Sequence, residues 1–161
     1  MRTGDVILIK NISKIGGITW KSKWNHIAVI IIKADFIYVL ENVNGDILIH
    51  EYVKFCRLYK RCFVILRHLS SSNRMCENSG TSFDTIDYVL SSLEIAILDT
   101  YTFNTGSLID YSAATVGYLY FKLNFLDPSI DWTSLKIKDF SPEYAAPLNI
   151  DARLDKGRVI N

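Results

Sequence analysis

Apolar and polar positions alternate between two patterns along this chain. In the first half, short β-branched runs are broken by polar turns. Val6-Ile7-Leu8-Ile9 is bounded by Thr3-Gly4-Asp5 and by Lys10-Asn11, which predicts a buried strand. His26 to Lys33 is rich in isoleucine and valine and predicts a central strand. Ala34-Asp35 reads as a turn, Phe36 to Glu41 as the next strand, and Asn44-Gly45 as a hairpin signal leading into Ile47 to His50. Glu51 to Arg57 predicts a short helix and Cys62 to Arg67 another strand. Asn11 to Asn25 reads as a loop, with Gly16-Gly17 as its turn.

The second half changes period. His68 to Thr81 is polar and loop-like. Ile86, Val89, Leu90, Leu93 and Ile97 then fall at helical spacing, with Ser82 or Asp84 available to cap the start. Asp99 to Asp110 reads as a loop. A second helix is predicted from about Ser112 to Asn124, with Val116, Leu119, Tyr120 and Leu123 on one face and Pro128 beyond its end. From Asp127 on, the chain carries all 3 prolines and reads as mostly irregular. Strands first and helices later favour an α+β domain over an alternating α/β one. The expectation is a single domain over residues 1–161, with an antiparallel, partly barrel-like sheet of about five strands and helices packed on it.

Composition narrows the function classes. The 161 residues are 49% hydrophobic and 22% charged, enough to bury a core. With 18 Lys+Arg against 17 Asp+Glu the formal net charge is +1, and no basic stripe is visible, which argues against nucleic acid as partner. The longest apolar run, Ile27 to Ile32, is far short of the ~20 residues a bilayer span needs. No signal peptide is visible before the first strand. Cys56, Cys62 and Cys76 are odd in number and irregular in spacing, so neither a disulfide framework nor a zinc pattern is expected. Reduced thiols suit an intracellular protein or a virion interior. No metal ligand cluster or glycine-rich phosphate loop is present, so no cofactor is expected.

Candidate chemistry emerges when three segments are taken together. His26 opens one strand and Glu41 ends its hairpin neighbour, so antiparallel pairing puts them side by side. A carboxylate on imidazole fixes its tautomer and raises its basicity. The start of the Ser112–Asn124 helix offers free amides and a favourable dipole for negative charge. The residues therefore allow a nucleophile–His–Glu site with Ser112 in the nucleophile slot. Serine at a helix start is also an ordinary N-cap. Trp20 and Trp24, with Lys21 and Lys23, read either as an exposed loop or as a substrate-binding lip or lipid-contact edge.

These segments resemble the NlpC-type permuted papain-like cysteine hydrolases, with their YiiX-like and poxvirus-type members. The resemblance rests on Gly4-Asp5 before an apolar strand, on His26-Ile27-Ala28-Val29, and on Glu41 fifteen residues beyond His26. It rests further on Tyr111-Ser112-Ala113-Ala114-Thr115-Val116-Gly117-Tyr118-Leu119-Tyr120-Phe121-Lys122-Leu123. There Val116, Tyr118, Tyr120, Lys122 and Leu123 fall in register with the family's nucleophile helix. Trp132 and Lys138-Asp139-Phe140-Ser141 resemble a later family stretch, so the likeness spans about residues 4–141 and leaves 142–161 as a tail.

The resemblance implies a permuted papain-like fold and thiol hydrolase or acyltransferase activity on an amide or ester. Small peptides, lipid-linked amides and acyl esters are the substrate classes it implies. Asp5 reads as turn chemistry at a strand start, although the resemblance implies that this region borders the site; it also implies a role at the cleft for Tyr101, with core packing as an equal reading. The departure is Ser112, where the family has cysteine, followed by Ala113-Ala114 in place of Ser-Glu. Three accounts stand: an engineered change, a natural silencing that leaves a binding or structural protein, or a working serine. The last is least favoured, because a hydroxyl is far less acidic than a thiol and sites shaped for sulfur seldom align for oxygen.

Overall fold

The computed structural model describes residues 1–15, 18–21, 24–33, 35–71 and 110–160. The predicted helix at residues 86–97, the Asp99–Asp110 loop up to residue 109, and the positions of Tyr101 and Cys76 lie outside them. The described elements begin with strands β1 (Val6–Ile15), β2 (Ile18–Lys21), β3 (His26–Lys33), β4 (Phe36–Val43) and β5 (Asp46–Glu51). Helix α1 (Tyr52–Leu58), β6 (Cys62–Arg67) and β7 (Leu69–Ser71) follow. Helix α2 (Tyr111–Lys122) leads into 3-10 turns at Trp132–Ser134 and Ile137–Phe140 and the short strands β8 (Ala152–Leu154) and β9 (Arg158–Val159).

The main sheet has the order β5-β4-β3-β1-β6-β9, with β2 paired to β1, while β7 and β8 pair separately. All pairings are antiparallel, so the chain is α+β. The sheet is open. Among the described strands, β5 and β9 end it on opposite sides and do not pair, so the partly barrel-like sheet expected from the sequence does not close. The expected Asn11–Asn25 loop is also corrected. β1 continues through Ile15 and turns back as β2, with Ile12 opposite Lys21 and Ile15 opposite Ile18. Lysine and serine between the isoleucines hide this hairpin from a search for apolar runs. The β-branched and aromatic residues on both arms nevertheless suit a pleated ribbon.

Alternation along β1 divides the interior. Val6 and Leu8 join Ile27, Val29, Leu40 and the α2 residues Ala113, Val116 and Tyr120 in one cluster. Ile7 and Ile9 join Ala28, Ile30, Val39 and Phe55 of α1 in the other. The sheet is thus covered by α2 and the C-terminal segment on one face and by α1 on the other. Helix α2 packs close to that segment at Gly117. A Cβ there would come within 2.5 Å of a Leu135 methyl and 3.2 Å of the Trp132 carbonyl oxygen. At the far end of α2, the buried Tyr120 hydroxyl donates to the Gly4 carbonyl over 2.6 Å. Gly4 takes φ +94°, a left-handed conformation suited to glycine, and turns the chain into β1. The segment from Asp127 on is mostly irregular, as expected, with two 3-10 turns and two short strands as its only regular pieces among the described residues.

Candidate functional site

Sheet register sets the first pair. Glu41 on β4 lies opposite Ala28 on β3, and His26 is two residues along β3 on the same face. Ala28 is small, which leaves room for Glu41 to lean diagonally. Its Oε2 sits 2.7 Å from His26 Nε2. A hydrogen bond at Nε2 to a carboxylate places the proton there and leaves the Nδ1 lone pair to accept another. His26 and Glu41 are therefore coupled as the sequence suggested.

Two partners of Glu41 were not legible in the sequence. The Tyr59 hydroxyl, just past α1, donates to Glu41 Oε2 over 2.7 Å. The Tyr59 ring also stacks beside the His26 ring, with centroids 6.0 Å apart and planes at 21°. His50 on β5 lies opposite Val39 and so shares Glu41's face. Its Nε2 is 2.9 Å from Glu41 Oε1, without the alignment of a hydrogen bond. Glu41 itself is buried. Burial alone would raise its carboxyl pKa. The hydrogen bonds from His26 and Tyr59 and the charges of His26 and His50 outweigh that and hold it below the ordinary value. The Tyr59 phenol is pushed well up, first by burial and then by its bond to Glu41, so it stays a donor.

Ser112 enters from the other layer. It is not the N-cap of α2. That role belongs to Asp110, whose carboxylate accepts from the Ala113 amide over 3.2 Å. Asp110 Oδ1 also accepts the Ser112 hydroxyl over 2.9 Å, and Oδ2 accepts the Ile137 amide over 3.3 Å. The Ser112 side chain is thus aimed at Asp110 rather than at His26. An Asp directly before a helical run is a visible sequence signal for Asp110, but Ser112 competed for the same cap role.

His26 and Ser112 line the same open cleft of about 520 Å3, with Tyr59, Asp110, Tyr111, Asn25, Asn44, Ile9 and Val43 around them. The cleft lies at the end of the strands, between Tyr59 just past α1 and the start of α2. A buried bond braces it from behind: Asn42 Nδ2, next to Glu41, donates to Thr115 Oγ1 of α2 over 3.1 Å.

The other expected residues fall elsewhere. Asp5 does not reach this cleft. It starts β1, while His26 pairs with Ile9 four residues along. It is fully buried and binds His68 Nδ1 at 2.8 Å, the Leu69 amide at 3.0 Å and the Arg2 amide at 2.8 Å. Its work is to close the strand start. Trp24 is anchored rather than free. Its indole N–H donates to Glu143 over 3.1 Å, and Lys10 lies 4.0 Å above its ring. Trp20 sits on β2 opposite Ser13. Cys56 on α1 and Cys62 on β6 are half-buried thiols. Among the described residues, no group of three or more His, Cys, Asp or Glu is placed to hold a metal ion. No described helix is long and apolar enough to cross a membrane.

Comparison of the chain with protein-family models, with curated proteins and with solved structures finds no match. The site alone therefore carries the functional reading.

Proposed function

We propose that this chain is a papain-like hydrolase or acyltransferase acting on an amide or ester carbonyl, in a permuted papain-like arrangement. Its turnover is weak because Ser112 occupies the nucleophile slot. The observation that carries the reading is the His26–Glu41 pair opening with Ser112 onto one cleft. In the proposed reaction the Ser112 oxygen attacks the carbonyl carbon and its proton passes to His26 Nδ1. The oxyanion forms beside the Ser112 amide at the positive end of α2. His26 then protonates the leaving amine or alcohol, and water, activated by the same imidazole, releases the acyl group. Glu41 holds the imidazole and balances its charge while it carries the proton. Small peptides, lipid-linked amides and acyl esters are the substrate classes proposed. The proposed setting is the cell or virion interior, on the cysteine count.

One observation favours a second reading, a binding protein that keeps the fold. The Ser112 hydroxyl is committed to Asp110 and must rotate away before it can give its proton to His26. A Ser112→Cys variant separates the two. Its thiol should be alkylated by iodoacetamide rapidly below about pH 7, as an activated thiolate is, and His26→Ala should abolish that. A thiol that reacts like a free one of pKa about 8.5, with or without His26, makes the chain a binding module. The unaltered chain serves as control for Cys56, Cys62 and Cys76.

A further inference from the structure

We infer that Tyr59 is a positioning residue of this site: its hydroxyl fixes Glu41 Oε2 while its ring backs the His26 imidazole, so His26 is held with Nδ1 turned to the cleft. The inference rests on the hydrolase reading for its meaning, and on geometry for its substance. Tyr59 touches both members of the pair and also lines the cleft. Without it, the carboxylate could rotate about its last bond and exchange His26 between its two oxygens. With it, Oε2 receives two donors at 2.7 Å each, from Tyr59 and from His26, which defines the carboxylate plane.

Tyr59 is itself well fixed. Its amide donates to the Phe55 carbonyl over 3.1 Å, and its carbonyl accepts from Cys62 over 2.9 Å. The Phe55 ring, buried under the sheet, lies 4.7 Å from its ring centre. Thus the α1-to-β6 connection, remote in sequence from His26, carries a rigid arm to the back of the site. The phenol remains protonated at any working pH, so it supplies a donor and never competes as an anion. The change Tyr59→Phe keeps the stacking and loses only the hydroxyl, which makes the contribution separable.

The test has two arms. In the Ser112→Cys background, Tyr59→Phe should slow iodoacetamide alkylation about 10-fold at pH 6.5, the scale expected of a misaligned base. Above about pH 9.5, where every thiol ionises unaided, the two rates should converge. A purely structural loss would lower both. In the unaltered chain, 15N NMR of His26 at alkaline pH should show the single Nε2–H tautomer, and Tyr59→Phe should turn it into a mixture. Unchanged alkylation at pH 6.5 together with an unchanged His26 tautomer overturns the inference. If the thiol introduced by Ser112→Cys is sluggish whether or not His26 is present, the hydrolase reading falls. The tautomer arm then decides Tyr59's role by itself.

Discussion

One buried carboxylate, Glu41, gathers His26, His50 and Tyr59 behind the cleft. Despite its burial, they hold it ionised below its ordinary range. A carboxyl whose folded pKa is depressed stabilises the fold in its ionised form. That contribution is whole above the unfolded-chain value of about 4.5, and it is lost as pH falls through the lower folded value. Glu41→Gln removes the titration. Urea midpoints measured from about pH 6 down to pH 3 should therefore fall more steeply for the unaltered chain than for the variant. Parallel curves would show that Glu41 contributes nothing to acid lability. His26 and Glu41 were legible because a strand start and a hairpin end meet by register. Tyr59 and His50 were not. Nothing in a local pattern says that the residue after a short helix will swing under a strand two hairpins away.

At the scale of elements, the site depends on how α2 seats against the sheet. The Asn42–Thr115 bond ties β4 to α2 one turn beyond Ser112, and both residues are buried. Thr115→Val keeps the shape and removes the acceptor. It leaves the Asn42 amide without its partner and should cost about 1–3 kcal/mol by urea unfolding. A loss below about 0.5 kcal/mol would mean that the contact is incidental. The strands β3 and β6 were legible to the residue, since unbroken β-branched runs admit few other readings. Helix α2 was legible by its apolar spacing, but its start was not. Asp110 wins the cap because its carboxylate reaches the Ala113 amide while its backbone is still extended. The β1–β2 ribbon was missed for the opposite reason. Its isoleucines alternate with lysine, serine and threonine, which erases the apolar-run signal without weakening backbone pairing.

The whole molecule is organised from the two ends of its sheet. The cleft occupies one end, beside Ile9 and His26. The other is closed by a polar lock around Asp5, His68 and Arg67. Arg67 is buried, and its guanidinium donates to the carbonyls of Phe140, Leu154 and Asp155, gathering two stretches of the C-terminal segment onto β6. Burial holds its pKa below the ordinary value against the opposing charges of Asp155, Tyr120 and Glu143, and a guanidinium stays protonated in proteins, so it is the charged donor that those carbonyls need. Asp155 completes the lock by accepting the His68 and Gly157 amides over 2.9 Å each. A lysine ammonium is a single point and cannot span three carbonyls that a planar fork reaches together. Arg67→Lys should therefore cost about 3 kcal/mol, the range for losing charged hydrogen bonds in a buried site. The damage should also be local before it is global. Limited proteolysis with mass mapping should release cuts within residues 141–160 of the variant while the strands around His26 and Glu41 stay protected. If those strands and the tail open together, the tail is integral to the sheet's stability rather than a strap laid over its far end, and the cleft then depends on closure at both ends.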